Sequence, residues 1–121
     1  MHTLERRAQT RYGVRALAEF KWQDEWGAPQ RGRGYTRDIS LGGMFIRSES
    51  MPPERADLEV EVSFSAFTEA SANLRMSVQA FVIRLEKDSE GRLGPTRGFA
   101  VLNGNYRLHA GSHVEENKMR G

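Results

Sequence analysis

Polar and apolar residues alternate with a period of two along most of this chain. Val14, Ala16, Ala18, Phe20 and Trp22 share one face of the first run, with Arg15, Glu19 and Lys21 on the other. Leu58, Val60, Val62 and Phe64 alternate in the same way with Asp57, Glu59, Glu61 and Ser63. Successive side chains of a strand point to opposite faces, so these runs predict half-buried antiparallel strands rather than helices. QDEWGAPQ (23–30), SMPPE (50–54) and KDSEGRLGP (87–95) carry the Gly and Pro that interrupt strands. Between the first two breaks, GYTRDIS and MFIRS read as a hairpin through Leu41-Gly42-Gly43. From Leu74 the apolar face is Leu74, Met76 and Val78, but from Phe81 it becomes Phe81, Ile83 and Leu85. A change of phase by one residue turns every later side chain over, which predicts a bulge or strong bend near Ala80. TRGFAVLN (96–103) reads as the last strand.

Short strands at regular spacing, joined by Gly/Pro turns, predict an all-β fold, a small antiparallel six-stranded β-barrel. Its expected span is residues 13–103. Residues 1–12 lack the apolar alternation, and after Met1 the one large apolar side chain in the first eleven positions is Leu4, so this segment reads as a flexible arm. Residues 104–121 read as a tail with room for a short helix, although Gly104 and Gly111 weaken it.

Composition narrows the classes. A chain of 121 residues supports one domain. It has no cysteine, which removes disulfide frameworks and thiolate metal sites. No apolar stretch resembles a signal-peptide core, and none reaches the roughly 18 residues a membrane helix needs. A soluble cytoplasmic protein without membrane insertion is expected. The net charge is only +2, but Arg6, Arg7, Arg11 and Arg15 crowd the front of the chain and Arg31, Arg33 and Arg37 approach Asp38. Carboxylates gather later, at Glu54, Asp57, Glu59 and Glu61. The first third therefore carries a positive field suited to an anionic partner.

Two patterns carry candidate chemistry. Arg7 and Arg11 are spaced R-x-x-x-R in RAQTR, just before the first strand, and Asp38, Ser40 and Gly43 are spaced D-x-S-x-x-G in DISLGG. Strand geometry puts Asp38 and Ser40 on one face and Ile39 on the opposite, core-facing one. Taken alone, Asp and Ser here would cap the amides of their own hairpin. With both motifs in this order on an all-β pattern, from about Glu5 to Asn103 and ending in the strand RGFAV, the chain resembles the PilZ domain, the bacterial receptor module for cyclic di-GMP.

The resemblance implies a receptor that binds cyclic di-GMP non-covalently, with no cofactor or metal. It implies that Arg7 and Arg11 contact the nucleotide, joined by Asp38, Ser40, Gly42 and Gly43. An Arg fork matches guanine O6 and N7 or phosphate oxygens, and its plane stacks on a purine. The Asp38 carboxylate accepts, as guanine N1–H and N2–H2 require. The glycines allow positive φ and close approach of the main chain. In this family the residue at the Arg6 position influences whether one nucleotide or a pair binds. A third guanidinium can stack on or pair with a second molecule, so two nucleotides per chain are expected. The arm is expected to order over the ligand and to relay its level to a separate protein partner; a homodimer stays open.

Other readings are weaker. Gly32-Arg33-Gly34 is the kind of tract found in RNA-binding proteins, but Phe20, Trp22 and Phe64 fall on the apolar side of their strands, not on an exposed stacking face. Neither DNA nor RNA is expected as a partner. His109 and His113, with Glu115, could place ligands together on a helix, but Gly111 lies between them and a surface tail is the simpler account. Ser40 is not in a G-x-S-x-G elbow and no triad presents itself, so no enzyme is expected. The serious alternative is a PilZ-like interaction module that does not depend on nucleotide. Trp26, in the first loop, would be its anchor unless it folds back over the barrel edge, which is the expectation.

Overall fold

The computed structural model describes residues 10–64, 74–87 and 97–110. Six antiparallel strands, β1 (Leu17–Gln23), β2 (Pro29–Ile39), β3 (Gly43–Arg47), β4 (Asp57–Phe64), β5 (Leu74–Glu86) and β6 (Gly98–Ala110), close into a barrel. Around it the order is β1-β2-β3-β6-β5-β4. Among the described residues there is no helix, so none is long and apolar enough to cross a membrane.

The apolar alternation becomes the core as expected. Ala16, Ala18, Phe20, Leu58, Val60 and Val62 are buried, and Val14, Trp22 and Phe64 pack partly buried against them. Phe20 lies edge-on to Phe99 with centroids 5.0 Å apart, tying β1 to β6 across the interior. The outer face of the same strands carries ion pairs, Lys21–Glu59, Arg33–Glu19 and Arg75–Glu61. Arg33 is therefore occupied on the β1 side and not at the approach to Asp38.

Three expectations need correction. On β5, Met76, Val78, Ala80 and Val82 all stay buried, and Phe81 and Ile83, expected inward, are exposed. Pairing slips between Val82 and Arg84, where Ile83 is the extra β5 residue; only then does Leu85 return to the core side. The slip expected near Ala80 is real, but its extra residue belongs to β6 and leaves the facing of β5 unchanged. The final strand, expected to stop at Asn103, runs on to Ala110. Residues 104–110 are thus strand rather than tail, held by β5 from Leu74 to Val78, and His109 accordingly sits on a strand, 3.2 Å from the Ser77 hydroxyl. His113 and Glu115, like the rest of the expected tail, lie outside the described residues. Trp26 does not fold back: it is 80% exposed. The Asp24 side chain accepts from the amides of Trp26 and Ala28, both at 2.8 Å, and this self-contained loop leaves the indole in solvent.

Candidate functional site

The β2–β3 hairpin holds both halves of the D-x-S-x-x-G pattern, and its register is irregular. Thr36 pairs with Ile46 and Asp38 with Phe45, so Arg37 is an extra residue, a β-bulge. A bulge re-aims the side chains that follow it. Before it, Thr36 faces inward and is 2% exposed; after it, Ile39 packs against the core again. Without the bulge Asp38 would share the inward face of Thr36. With it, the consecutive residues Arg37 and Asp38 both reach the outer surface.

Thr36 anchors the incoming chain on the inner side. Its hydroxyl donates to the Val14 carbonyl and accepts from the Ala16 amide at 2.9 Å, and its own amide donates to the Ala16 carbonyl. One turn of chain earlier, Tyr12 and Ile39 exchange two backbone hydrogen bonds, 2.8 and 2.9 Å long. The end of the expected arm is thus paired with β2. That pairing delivers Arg11, whose Nη1 lies 3.0 Å from Asp38 Oδ1. The two are 27 positions apart in sequence.

Asp38 Oδ2 accepts from Arg37 Nε at 2.8 Å. Both carboxylate oxygens therefore already hold a guanidinium, and two positive charges against one negative leave the cluster net positive. The Asp38 side chain is only 16% exposed, whereas Arg11 and Arg37 are 58% and 42% exposed. Exposed ion pairs of this kind contribute roughly 0–1 kcal/mol to stability, so Arg11 can leave Asp38 at small cost. The central carbon of the Arg37 guanidinium also lies over the Phe45 ring, 4.1 Å from its centroid, and that of Arg15 lies over Tyr35 at the same distance.

Ser40 is different. It is 7% exposed, and its hydroxyl both donates to the Gly43 carbonyl and accepts from the Gly43 amide, each at 3.2 Å. Its amide donates to the same carbonyl at 2.8 Å. This is the hairpin-capping role. Neither Gly42 nor Gly43 takes the positive φ anticipated for them. Gly43 is needed for closeness instead, since a Cβ there would lie 2.6 Å from the Val101 carbonyl oxygen.

Asn103, which the sequence reading passed over, completes the turn. Its Nδ2 donates to the Ser40 and Leu41 carbonyls at 3.3 Å, and its amide donates to the Gly42 carbonyl at 2.9 Å. Its Oδ1 is buried without a partner among the described residues. The available signal was an amide in register with Phe99 and Val101, where the alternation asks for an apolar residue. Arg6 and Arg7 lie outside the described residues. Of the anticipated set, the structure brings together Arg11 and Asp38, and separately Ser40, Gly42 and Gly43.

The family model of the PilZ domain matches residues 5–109. The chain belongs to the PilZ family. Among solved structures, this PilZ chain is similar in fold to the PilZ domain with c-di-GMP of YcgR from Escherichia coli. The TM-score is 0.58 at 17% identity, covering 83% of this chain and 79% of that one. None of the curated proteins matches it.

Proposed function

We propose that this PilZ protein is a receptor that binds cyclic di-GMP non-covalently at the Arg11–Asp38–Arg37 cluster and relays its level to a separate protein. One observation carries the reading: the last arginine of R-x-x-x-R and the aspartate of D-x-S-x-x-G meet at 3.0 Å in a PilZ chain. The c-di-GMP held by the YcgR domain supports the choice of ligand. A carboxylate offers about four acceptor positions, and the two arginines use two of them. The remaining lone pairs suit guanine N1–H and N2–H2, while Arg11, on release, suits a phosphate or the guanine O6/N7 edge. Adenine lacks the N1–H donor, so Asp38 gives the preference for guanine. Arg6 and Arg7, a few residues upstream, add positive charge for a ligand with two phosphates, and three arginines favour two nucleotides per chain. In this reading the ligand draws the arm over the barrel and changes the surface a partner meets, with exposed Trp26 as an available anchor.

One observation favours the alternative, an interaction module independent of nucleotide: both Asp38 oxygens and the Ser40 hydroxyl are already engaged within the chain. Calorimetric titration with cyclic di-GMP, cyclic di-AMP and GTP separates the two. The receptor reading expects saturable heat with cyclic di-GMP alone at micromolar concentrations and a ratio near two nucleotides per chain. Absence of heat at tens of micromolar would favour the interaction module, and a ratio of one would remove the second nucleotide.

A further inference from the structure

The bulged residue Arg37 belongs to neither motif, yet the fold arranges it with more care than any other exposed arginine described. Three features fix it. The bulge puts it beside Asp38 on the outer surface instead of on the opposite face. Its Nε donates to Asp38 at 2.8 Å, which holds the guanidinium by one edge. The Phe45 ring lies under it, with the ring centroid 4.1 Å from its central carbon, and supports it from that side.

Phe45 is itself seated for this. It pairs with Asp38 on one side and Ala100 on the other, and it does not belong to the core cluster built by its neighbours Met44 and Ile46. Nevertheless it is only 4% exposed. Room for its ring comes from Gly98, where a Cβ would lie 2.7 Å from Phe45 Cε1 and 2.3 Å from the Ile46 carbonyl oxygen. A large aromatic on the outer face of a barrel is thus bedded on a glycine and roofed by an arginine.

We propose that Arg37 is a further nucleotide-contacting arginine, outside both motifs: a fixed guanidinium plate on whose open face a guanine base of the ligand stacks. The inference rests on the receptor reading above and deepens it. The side chain is 42% exposed although the Phe45 ring lies against it, so guanidinium surface stays open on the side away from the ring. An arginine free in solvent loses rotamer freedom when it stacks; this one is already ordered by Asp38 and Phe45, so little of that cost remains for binding. Stacking on a plane does not distinguish one purine from another. Arg37 therefore supplies affinity, and Asp38, one residue on, supplies the choice of guanine. The bulge is what lets adjacent residues address the plane and the edge of the same base.

The test is titration of cyclic di-GMP into wild type, R37A, R37K and F45L, with melting temperatures recorded for each. Base stacking on a side chain corresponds to roughly a five- to hundred-fold change in affinity. R37A should lose affinity in that range at an unchanged melting temperature. R37K keeps the charge and loses the plane, so it should fall nearly as far as R37A. F45L, which keeps Arg37 but removes its support, should lie between them and wild type. If wild type binds and R37K binds equally well, only charge matters and the plate is wrong, while the receptor reading survives. If R37A also binds as wild type does, Arg37 is outside the site. Wild type giving no heat overturns both readings together.

Discussion

Asp38 and Ser40 stand two residues apart at the end of one strand, in one motif, and the structure uses them oppositely. Asp38 lies after a bulge, at the surface, holding two exposed guanidinium groups at 2.8 and 3.0 Å. Ser40 is 7% exposed and spends both hydrogen-bonding functions of its hydroxyl on Gly43. One end of the hairpin is electrostatic and exposed, with Arg11 able to leave it at small cost; the other is closed by backbone contacts, a glycine and the Asn103 amide. A single sequence pattern thus contains two devices. One is an exposed charged cluster, and the other gives it a rigid base. A change at the closed end should act through stability, and a change at the open end through binding.

The largest test of that division is Gly43→Ala. Its Cβ would meet the Val101 carbonyl oxygen, a backbone atom that cannot move without shifting β6. Overpacking costs about 1–3 kcal/mol, and contact with backbone puts this case near 3 kcal/mol. Thermal denaturation should show a fall of roughly 10 °C for a chain of this size. A variant that melts like wild type would mean that the turn is as adaptable as the Asp38 end. Next is Arg11→Ala, at the open end. A hydrogen bond to a charged group contributes roughly 1.5–3 kcal/mol, so cyclic di-GMP affinity should drop roughly ten- to a hundred-fold with little change in melting. Lost stability without lost affinity would reverse the assignment. Smallest is Asn103→Ala, which removes two long hydrogen bonds together with an unpartnered buried Oδ1. Loss of the bonds and loss of the orphan act in opposite directions, so urea denaturation should register about 1 kcal/mol or less. A loss of guanine preference in this variant, measured against cyclic di-AMP, would show that the closed end does contact the ligand.

Much of this architecture was legible in the sequence. Val14 to Trp22 and Leu58 to Phe64 alternate without interruption, and strands whose period is undisturbed were placed on their proper faces. The slip near Ala80 was anticipated but not the strand that carries its extra residue, and the insertions at Ile83 and Arg37 escaped detection. The β5 slip at Ile83 is hidden because Phe81, Val82 and Ile83 are all apolar, so the composition fits either phase. The bulge at Arg37 is similarly masked by Thr36, a polar residue buried through its bonds to Val14 and Ala16. Asp38 and Ile39 were nonetheless assigned their correct faces, since Ile39 is a strong enough marker to set the phase after the bulge. The site was legible where residue type decides, as with an arginine and an aspartate that attract each other. It was illegible where close packing decides, as at Gly43, Gly98 and Asn103. Trp26 was misjudged for a third reason: the loop's stability comes from Asp24 and the backbone, and so does not require the indole.

The backbone bridge between Tyr12 and Ile39 also sets a search radius for the preceding arginines. A chain spans at most about 3.5 Å per residue, so four residues of chain before Arg11 reach about 14 Å at most. In the receptor reading, the second arginine of R-x-x-x-R is the mooring, and the first reaches the ligand through the short tether of residues 8–10. Such a tether holds its group at an effective concentration in the millimolar range or above. A nucleotide already held at Asp38 would meet Arg7 as an intramolecular event. Moving the mooring, by lengthening residues 8–10, should weaken capture by dilution without altering a single contact.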